Sequence, residues 1–219
     1  MKIWHISDTH GLHHDLKVPE VDMVIHSGDF ANSRNSAINS NEVMEFLDWF
    51  VSLKIKHKVL VAGNHDISIE NRMIHPNFIL DAGITYLENN SVIIDGLKIW
   101  GSPITPSFGR GWAWNMARHK TNLVWELIPP DADIIITHGP PKGILDINQE
   151  MELCGCASLL RKIKSVNPML HLFGHVHNND TMINSGIRKI NNLDTIFSNA
   201  STVSDGKKML VNNGNIISI

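Results

Sequence analysis

The chain has 219 residues, 42% of them hydrophobic and 19% charged, with a formal net charge of -3 at pH 7 and a pI near 6.5. That size and balance fit one domain, 1–219, with a sizeable buried core. They exclude the strong basic bias of a protein that coats long nucleic acid, and no apolar run approaches the roughly 20 residues of a membrane-spanning helix.

The first predicted strand is 2–7 (KIWHIS) and the second 22–27, whose unbroken apolar run suits a sheet covered on both faces. An amphipathic helix follows, with Val43, Phe46, Leu47, Phe50 and Val51 at i, i+3, i+4, i+7 and i+8. Ser40 or Asn41 is its expected cap, with Glu42 and Glu45 in the first turn. A strand over 57–62 ends at Gly63-Asn64. The stretch 84–101 reads as hairpin-linked strands, ITYLE, SVIID and LKIWGS, turning at Asn89-Asn90 and Gly96. Strands over 133–137 and 169–173 flank a helix over 155–165 that carries Ala157, Leu159, Leu160 and Ile163. Beyond 177 short strands are expected near 181–184, 195–199, 208–212 and 215–219, the last pair joined by a hairpin turn at Asn213-Gly214. Two packed sheets with helices outside would satisfy this pattern.

The opening MKIWHISDTHG runs straight into polar residues without the pattern of a secretory leader. Cys154 and Cys156 are too close in sequence for an ordinary disulfide and too few for a thiolate zinc site. A cytoplasmic protein with packing cysteines is the expectation.

Five polar blocks each stand where an apolar run stops: Asp8-Thr9-His10, Gly28-Asp29, Gly63-Asn64-His65-Asp66, Thr137-His138-Gly139 and Gly174-His175-Val176-His177. Strands that end this way deliver their next side chains to the carboxyl edge of a sheet, where Asp8, His10, Asp29, Asn64, His138, His175 and His177 can converge. Carboxylate, imidazole and amide oxygen together suit magnesium, manganese, iron or zinc ions, and the number of groups suggests two ions. Two divalent ions beside only two carboxylates leave a net positive site, which attracts phosphate and stabilises a five-coordinate phosphoryl transition state. Seven donors leave coordination positions open, as a catalytic centre requires. His65, next to a ligand, is the candidate general acid for the departing alkoxide oxygen, with Asp66 placed to orient it or stabilise its charge.

In this order DTHG, GD, GNHD, THGPP and GHVH resemble the calcineurin-like metallophosphoesterase superfamily. Gly101-Ser102-Pro103, Trp112-Ala113-Trp114-Asn115 and Asn199-Ala200-Ser201 extend the similarity to the branch of metallophosphoesterase-domain-containing phosphodiesterases, over nearly the whole chain. The resemblance implies an α/β fold, a four-layer α/β/β/α sandwich of two mixed sheets with flanking helices. It also implies a binuclear centre, with Asp8, His10, Asp29 and His177 on one ion and Asp29, Asn64, His138 and His175 on the other. Asp29 would bridge the two. Manganese is the first expected ion, with iron, magnesium and zinc also suited to these donors. Some animal members of the branch lack a histidine in the last block; this chain has both His175 and His177.

His5, His26 and His171 fall inside strands and read as core or ligand-supporting histidines, while His13 and His14 follow the first block closely enough to line the mouth of the site. The segment 109–114 (GRGWAW) could stack a base, but it reads first as a loop with tryptophans anchored in the core. The expected activity is hydrolysis of small nucleotide-type phosphodiesters such as cyclic nucleotides, without a membrane or long nucleic-acid partner. A nuclease or nucleotide pyrophosphohydrolase is the alternative within the same chemistry. A protein-binding scaffold is the alternative outside it, disfavoured because every ligand position is filled. Gly28-Asp29-Phe30 is not followed by the Asp-Arg-Gly pattern of the protein serine/threonine phosphatases, which weighs against a phosphoprotein substrate.

Overall fold

Along β1 (Lys2–Ile6) successive side chains enter different environments, Ile3 in one apolar cluster and Trp4 and Ile6 in another. Side chains alternate across a strand, so this split means that both faces of the sheet are covered. The computed structural model describes residues 1–206 and 209–219. In chain order β1 is followed by β2 (Met23–His26), α1 (Ser36–Ser52), β3 (His57–Leu60), α2 (Ile67–Glu70), α3 (Pro76–Asp81), β4 (Thr85–Tyr86), β5 (Asn90–Ile94) and β6 (Leu97–Ser102). Then come β7 (Thr105–Pro106), β8 (Asn115–Met116), α4 (Asn122–Trp125), β9 (Ile134–Thr137), α5 (Ala157–Val166), β10 (Leu170–Phe173), β11 (Gly186–Lys189), β12 (Ile196–Asn199) and β13 (Asn215–Ser218).

Two mixed sheets carry the architecture, in the orders β13-β1-β2-β3-β4 and β11-β12-β10-β9-β6-β5. Their central strands, β1, β2 and β3 in one sheet and β9, β10 and β12 in the other, pair in parallel with one another, so their carboxyl ends gather at one edge. Between the sheets lies an apolar layer that includes Ile3, Met23, Ile25, Val59, Ile99, Ile134, Ile136, Leu170 and Leu172. Outside the first sheet α1 contributes Val43, Phe46 and Phe50; outside the second, α4 and α5 contribute Trp125, Leu159 and Ile163. This is the α/β/β/α sandwich.

Several local expectations need correction. The helix α1 starts earlier than its apolar stripe, because the Asn35 side chain accepts from the Ala37 and Ile38 amides and caps it there. Ser40 and Asn41 are helical, Val51 is 42% exposed, and the Glu42 carboxylate instead holds the Asn32 and Ser33 amides of the preceding loop. Residues 84–101 contain one hairpin, β5–β6, turning at Asp95-Gly96; β4 crosses to the first sheet and pairs in parallel with β3. The strand expected at 181–184 lies at β11 instead. Of the strand expected at 208–212, 208 falls outside the described residues, and 209–212 forms only a single bridge, Leu210 to Val203. Asn213-Gly214 does not close a hairpin, because β13 returns to pair with β1 across the whole chain length.

Candidate metal centre

The strand exits place the seven donors at the common carboxyl edge, Asp8, His10, Asp29 and Asn64 from the first sheet and His138, His175 and His177 from the second. The donor atoms of Asp8, His10 and His177 lie within 4.8 Å of one another, and so do those of Asp29, His138 and His175. In the first group the Nε2 atoms of His10 and His177 are 3.4 Å apart and His177 Nε2 is 3.2 Å from Asp8 Oδ1. In the second, His138 Nε2 is 3.2 Å from Asp29 Oδ2 and 2.9 Å from Asn64 Oδ1. His10 also stands within 4.8 Å of Asp29 together with His65, which places Asp29 between the groups.

The chain builds this geometry at a local cost. Asp8, His10, Asp29 and His175 all have left-handed backbone, with φ of 54°, 44°, 60° and 70°. Non-glycine residues adopt that region rarely and such strain concentrates at functional sites. Two glycines let the ligand loops touch. A Cβ on Gly63 would overlap the Asp29 carboxylate, and one on Gly174 would overlap Ser7 Oγ and the Asp8 carboxylate.

Three ligand histidines are oriented through their other ring nitrogen. Nδ1 of His10 donates to the Ala31 carbonyl at 3.2 Å, Nδ1 of His138 to the Ser27 carbonyl at 2.9 Å, and Nδ1 of His177 to the Asp205 carboxylate at 3.0 Å. Each Nε2 is thereby turned inward, the arrangement that metal-ligating histidines adopt. Electrostatics gives the same answer. Burial works against charge on both carboxylates, yet His177 holds Asp8 below its ordinary range and His138 holds Asp29 well below it. In return, and against burial, Asp29 raises His138 to about 9, while Asp205 and Asp8 raise His177 to about 10. Burial lowers His10 to about 4 and His175 to about 3, leaving both as neutral donors. Two buried carboxylates that must keep imidazolium partners are a site built for cations, and the donors fit two divalent ions.

His65 sits on the open side of this group, half-buried, its ring 4.6 Å from His10 and 4.5 Å from Trp112. Its Nδ1 faces the Asn32 carbonyl at 3.3 Å. Asp66 does something other than orient His65. Its buried carboxylate accepts four backbone amides, those of Phe30 and Ala31 on Oδ1 and those of Asp29 and Gly63 on Oδ2, at 2.6–3.1 Å. It brackets the Asp29 loop to the Gly63 turn. Burial and the Asp29 charge push Asp66 upward from the usual carboxylate range, and the four amides, which favour the ionised form, pull the other way.

Other residues acquire definite places. His5 bridges Ser198 and Ser27 between the sheets, His26 bonds Thr9, and His171 bonds Thr137, all as buried neutral rings. His13 and His14 turn away from the site toward Glu45 and Trp49. Segment 109–114 divides: Trp114 is buried in the core as expected, whereas Trp112 packs on His65 and receives Arg34 over its face at 4.0 Å. Asp205 stands in no motif, and Asn199 stands in the family-like Asn199-Ala200-Ser201 without a role assigned to it. Asp205 anchors His177, and buried Asn199 holds the last ligand block through the Val176 carbonyl. A cleft of about 500 Å³ opens beside His175 and His177, walled by Phe108, Arg118, Asn148 and Glu152.

A fold of this kind, with paired donor groups at one sheet edge, defines a class. Residues 1–179 match the model of the calcineurin-like phosphoesterases. The chain belongs to that family, whose members use a binuclear metal centre. Among its relatives is human metallophosphoesterase domain-containing protein 1, 34% identical in an alignment that covers 78% of this chain and 59% of the relative. The chain thus spans somewhat over half the length of that protein and of its mouse counterpart. Two UPF0046 proteins of Caenorhabditis elegans are 30% and 34% identical over 95% and 90% of the chain, covering 72% and 73% of their own lengths. A solved crystal structure with 18% identity superposes at a TM-score of 0.64 over 90% of this chain and 89% of the other, which supports the fold. No helix among the described residues is long and apolar enough to cross a membrane.

Proposed function

We propose that this chain is a two-metal phosphodiesterase acting on small nucleotide-type phosphodiesters, cyclic nucleotides among them. The observation that carries the reading is the pair of donor groups around Asp29 with His65 beside them and outside the seven ligands. When bound, divalent ions there would supply positive charge for the phosphoryl oxygens and a water of lowered pKa. The chain's own residues would do the rest. The Asn32 carbonyl accepts from His65 Nδ1, so Nε2 is the nitrogen free to give a proton to the departing alkoxide oxygen. Trp112 covers one side of that ring and limits its rotation. Phe108, 4.9 Å from the His175 ring, gives the neighbouring cleft an apolar wall suited to a base. The cleft is of a size for a mononucleotide rather than a long strand.

The test is hydrolysis of bis-p-nitrophenyl phosphate, then of 3′,5′- and 2′,3′-cyclic nucleotides, by chain loaded with Mn²⁺ and by chelator-treated chain. Turnover with metal and none with chelator is expected. A chain that binds its ions but cleaves no phosphoester in a panel run with manganese, iron, zinc and magnesium would defeat the reading.

A further inference from the structure

Three residues after His10 the chain makes a short 3-10 turn, His13–Asp15, that packs on α1. His13 is completely buried there, yet neither of its ring nitrogens has a hydrogen-bond partner. Buried polar groups are nearly always satisfied, so an imidazole with two free nitrogens demands an explanation. Its ring packs against Phe46 and Trp49, at ring distances of 5.3 Å and 5.0 Å. Its Nε2 instead faces Glu45 Oε1 at 3.4 Å, without a hydrogen bond, and His14 Nε2 reaches the same oxygen at 2.6 Å.

The spacing fits a coordinated ion. Donors held about 2.0–2.1 Å from a tetrahedral ion stand about 3.3 Å apart. His13 and Glu45 already have that separation, as do the His138–Asp29, His177–Asp8 and His10–His177 pairs of the metal centre, whereas His14 and Glu45, hydrogen-bonded at 2.6 Å, must part by about 0.7 Å to share an ion. The three donor atoms all fall within 4.8 Å of one another. Two imidazoles and one carboxylate form a nitrogen-rich set that selects zinc and its neighbours over magnesium or calcium. His14 and Glu45 are exposed at 60% and 53%, so an ion can enter from solvent and keep water in the remaining position.

We propose that His13, His14 and Glu45 form a third metal site, of the zinc class, separate from the centre around Asp29. Bound there, the ion fastens the turn that follows Asp8 and His10 to helix α1.

The experiment is a Zn²⁺ titration of the chelator-treated chain against a chromophoric chelator, with excess Mg²⁺ present. The wild-type chain should take up one ion more than Glu45→Gln and one more than His14→Gln, both changes at exposed positions whose far-ultraviolet spectra should stay native. Crystals grown with Zn²⁺ should show an anomalous peak among His13, His14 and Glu45. Equal stoichiometry in all three chains overturns the proposal, as does a missing peak or one that survives in Glu45→Gln. The outcome does not depend on the phosphodiesterase reading: an inert or empty centre around Asp29 would lower the total count but leave the difference of one ion intact.

Discussion

The place of Asp66 can be tested by Asp66→Asn, which keeps the shape and removes one acceptor oxygen. Each carboxylate oxygen receives two amides. The amide side chain can therefore satisfy only two of the four donors, and it turns an NH₂ group toward the other two. A buried donor left without a partner costs about 1–3 kcal/mol. Removing a buried charge that Asp29 opposes returns part of this. The net loss expected is about 2–4 kcal/mol, which for a chain of this size lowers the melting temperature by about 4–16 °C. The bracket ties Asp29 to the Gly63 turn, so Mn²⁺ affinity should fall as well, and saturating Mn²⁺ should restore most of the turnover. Thermal melts of the chelated chain and a Mn²⁺ titration followed by activity read both effects. If Asp66→Asn melts and binds Mn²⁺ like the parent but loses kcat at saturation, Asp66 acts through His65 and the bracket argument is wrong.

His65→Ala should keep the full metal content and lose about 100- to 10,000-fold in kcat on substrates with alkoxide leaving groups, with a much smaller loss for a p-nitrophenolate leaving group that needs no proton. Loss of an ion in that variant would make His65 a ligand, since it also lies within reach of His10 and Asp29. Gly174→Ala, which drives a methyl group into the Asp8 carboxylate, should fold but bind metal weakly; unchanged binding by calorimetry would refute the close-approach argument. In the metal-free chain His138 and His177 carry protons up to about pH 9 and 10, so ions must displace them. Metal affinity should therefore rise with pH between about 7 and 9, with protons released in calorimetry across buffers of different ionisation enthalpy. The same protons stabilise the chelated fold fully below the ordinary imidazole value of 6.5, a contribution lost as pH rises through those two raised values.

What could be read in the sequence was what chain-local chemistry decides. A run such as ADIIIT that stops at His138 can be recognised without knowing its neighbours, because a strand exit and its donor are contiguous. Convergence of the five exits then follows from parallel pairing, which apolar runs covered on both faces favour. The start of α1 at the Asn35 cap is a local misreading, and the others are non-local. Asp66 neighbours His65 in sequence, but its partners lie 35–37 residues away on the Asp29 loop. The Asn213-Gly214 signal was overridden because the adjoining segment found a better partner in β1, some 200 residues distant. His13 and His14 follow the first block closely, but the turn at Gly11 and the pull of Trp49 and Phe46 carry them to the helix side. Trp112 and Trp114 stand two positions apart, and only the path of the loop over Asn64, through the Ala113 amide, decides which enters the core.

The seven donors are divided between the two sheets, four from one and three from the other. At the same edge Ser7 of the first sheet already bridges Ser201 of the second. The layer between the sheets is thus held by oily contact along its length and by a clasp at one end, and the clasp's strength depends on ion supply. Chelation should then loosen that end alone. Amide exchange would quicken at the tips of β1, β2, β9 and β10 while their opposite ends stay protected. For such a molecule, metal scarcity acts as an adjustable hinge tension, set by the surroundings rather than by the chain.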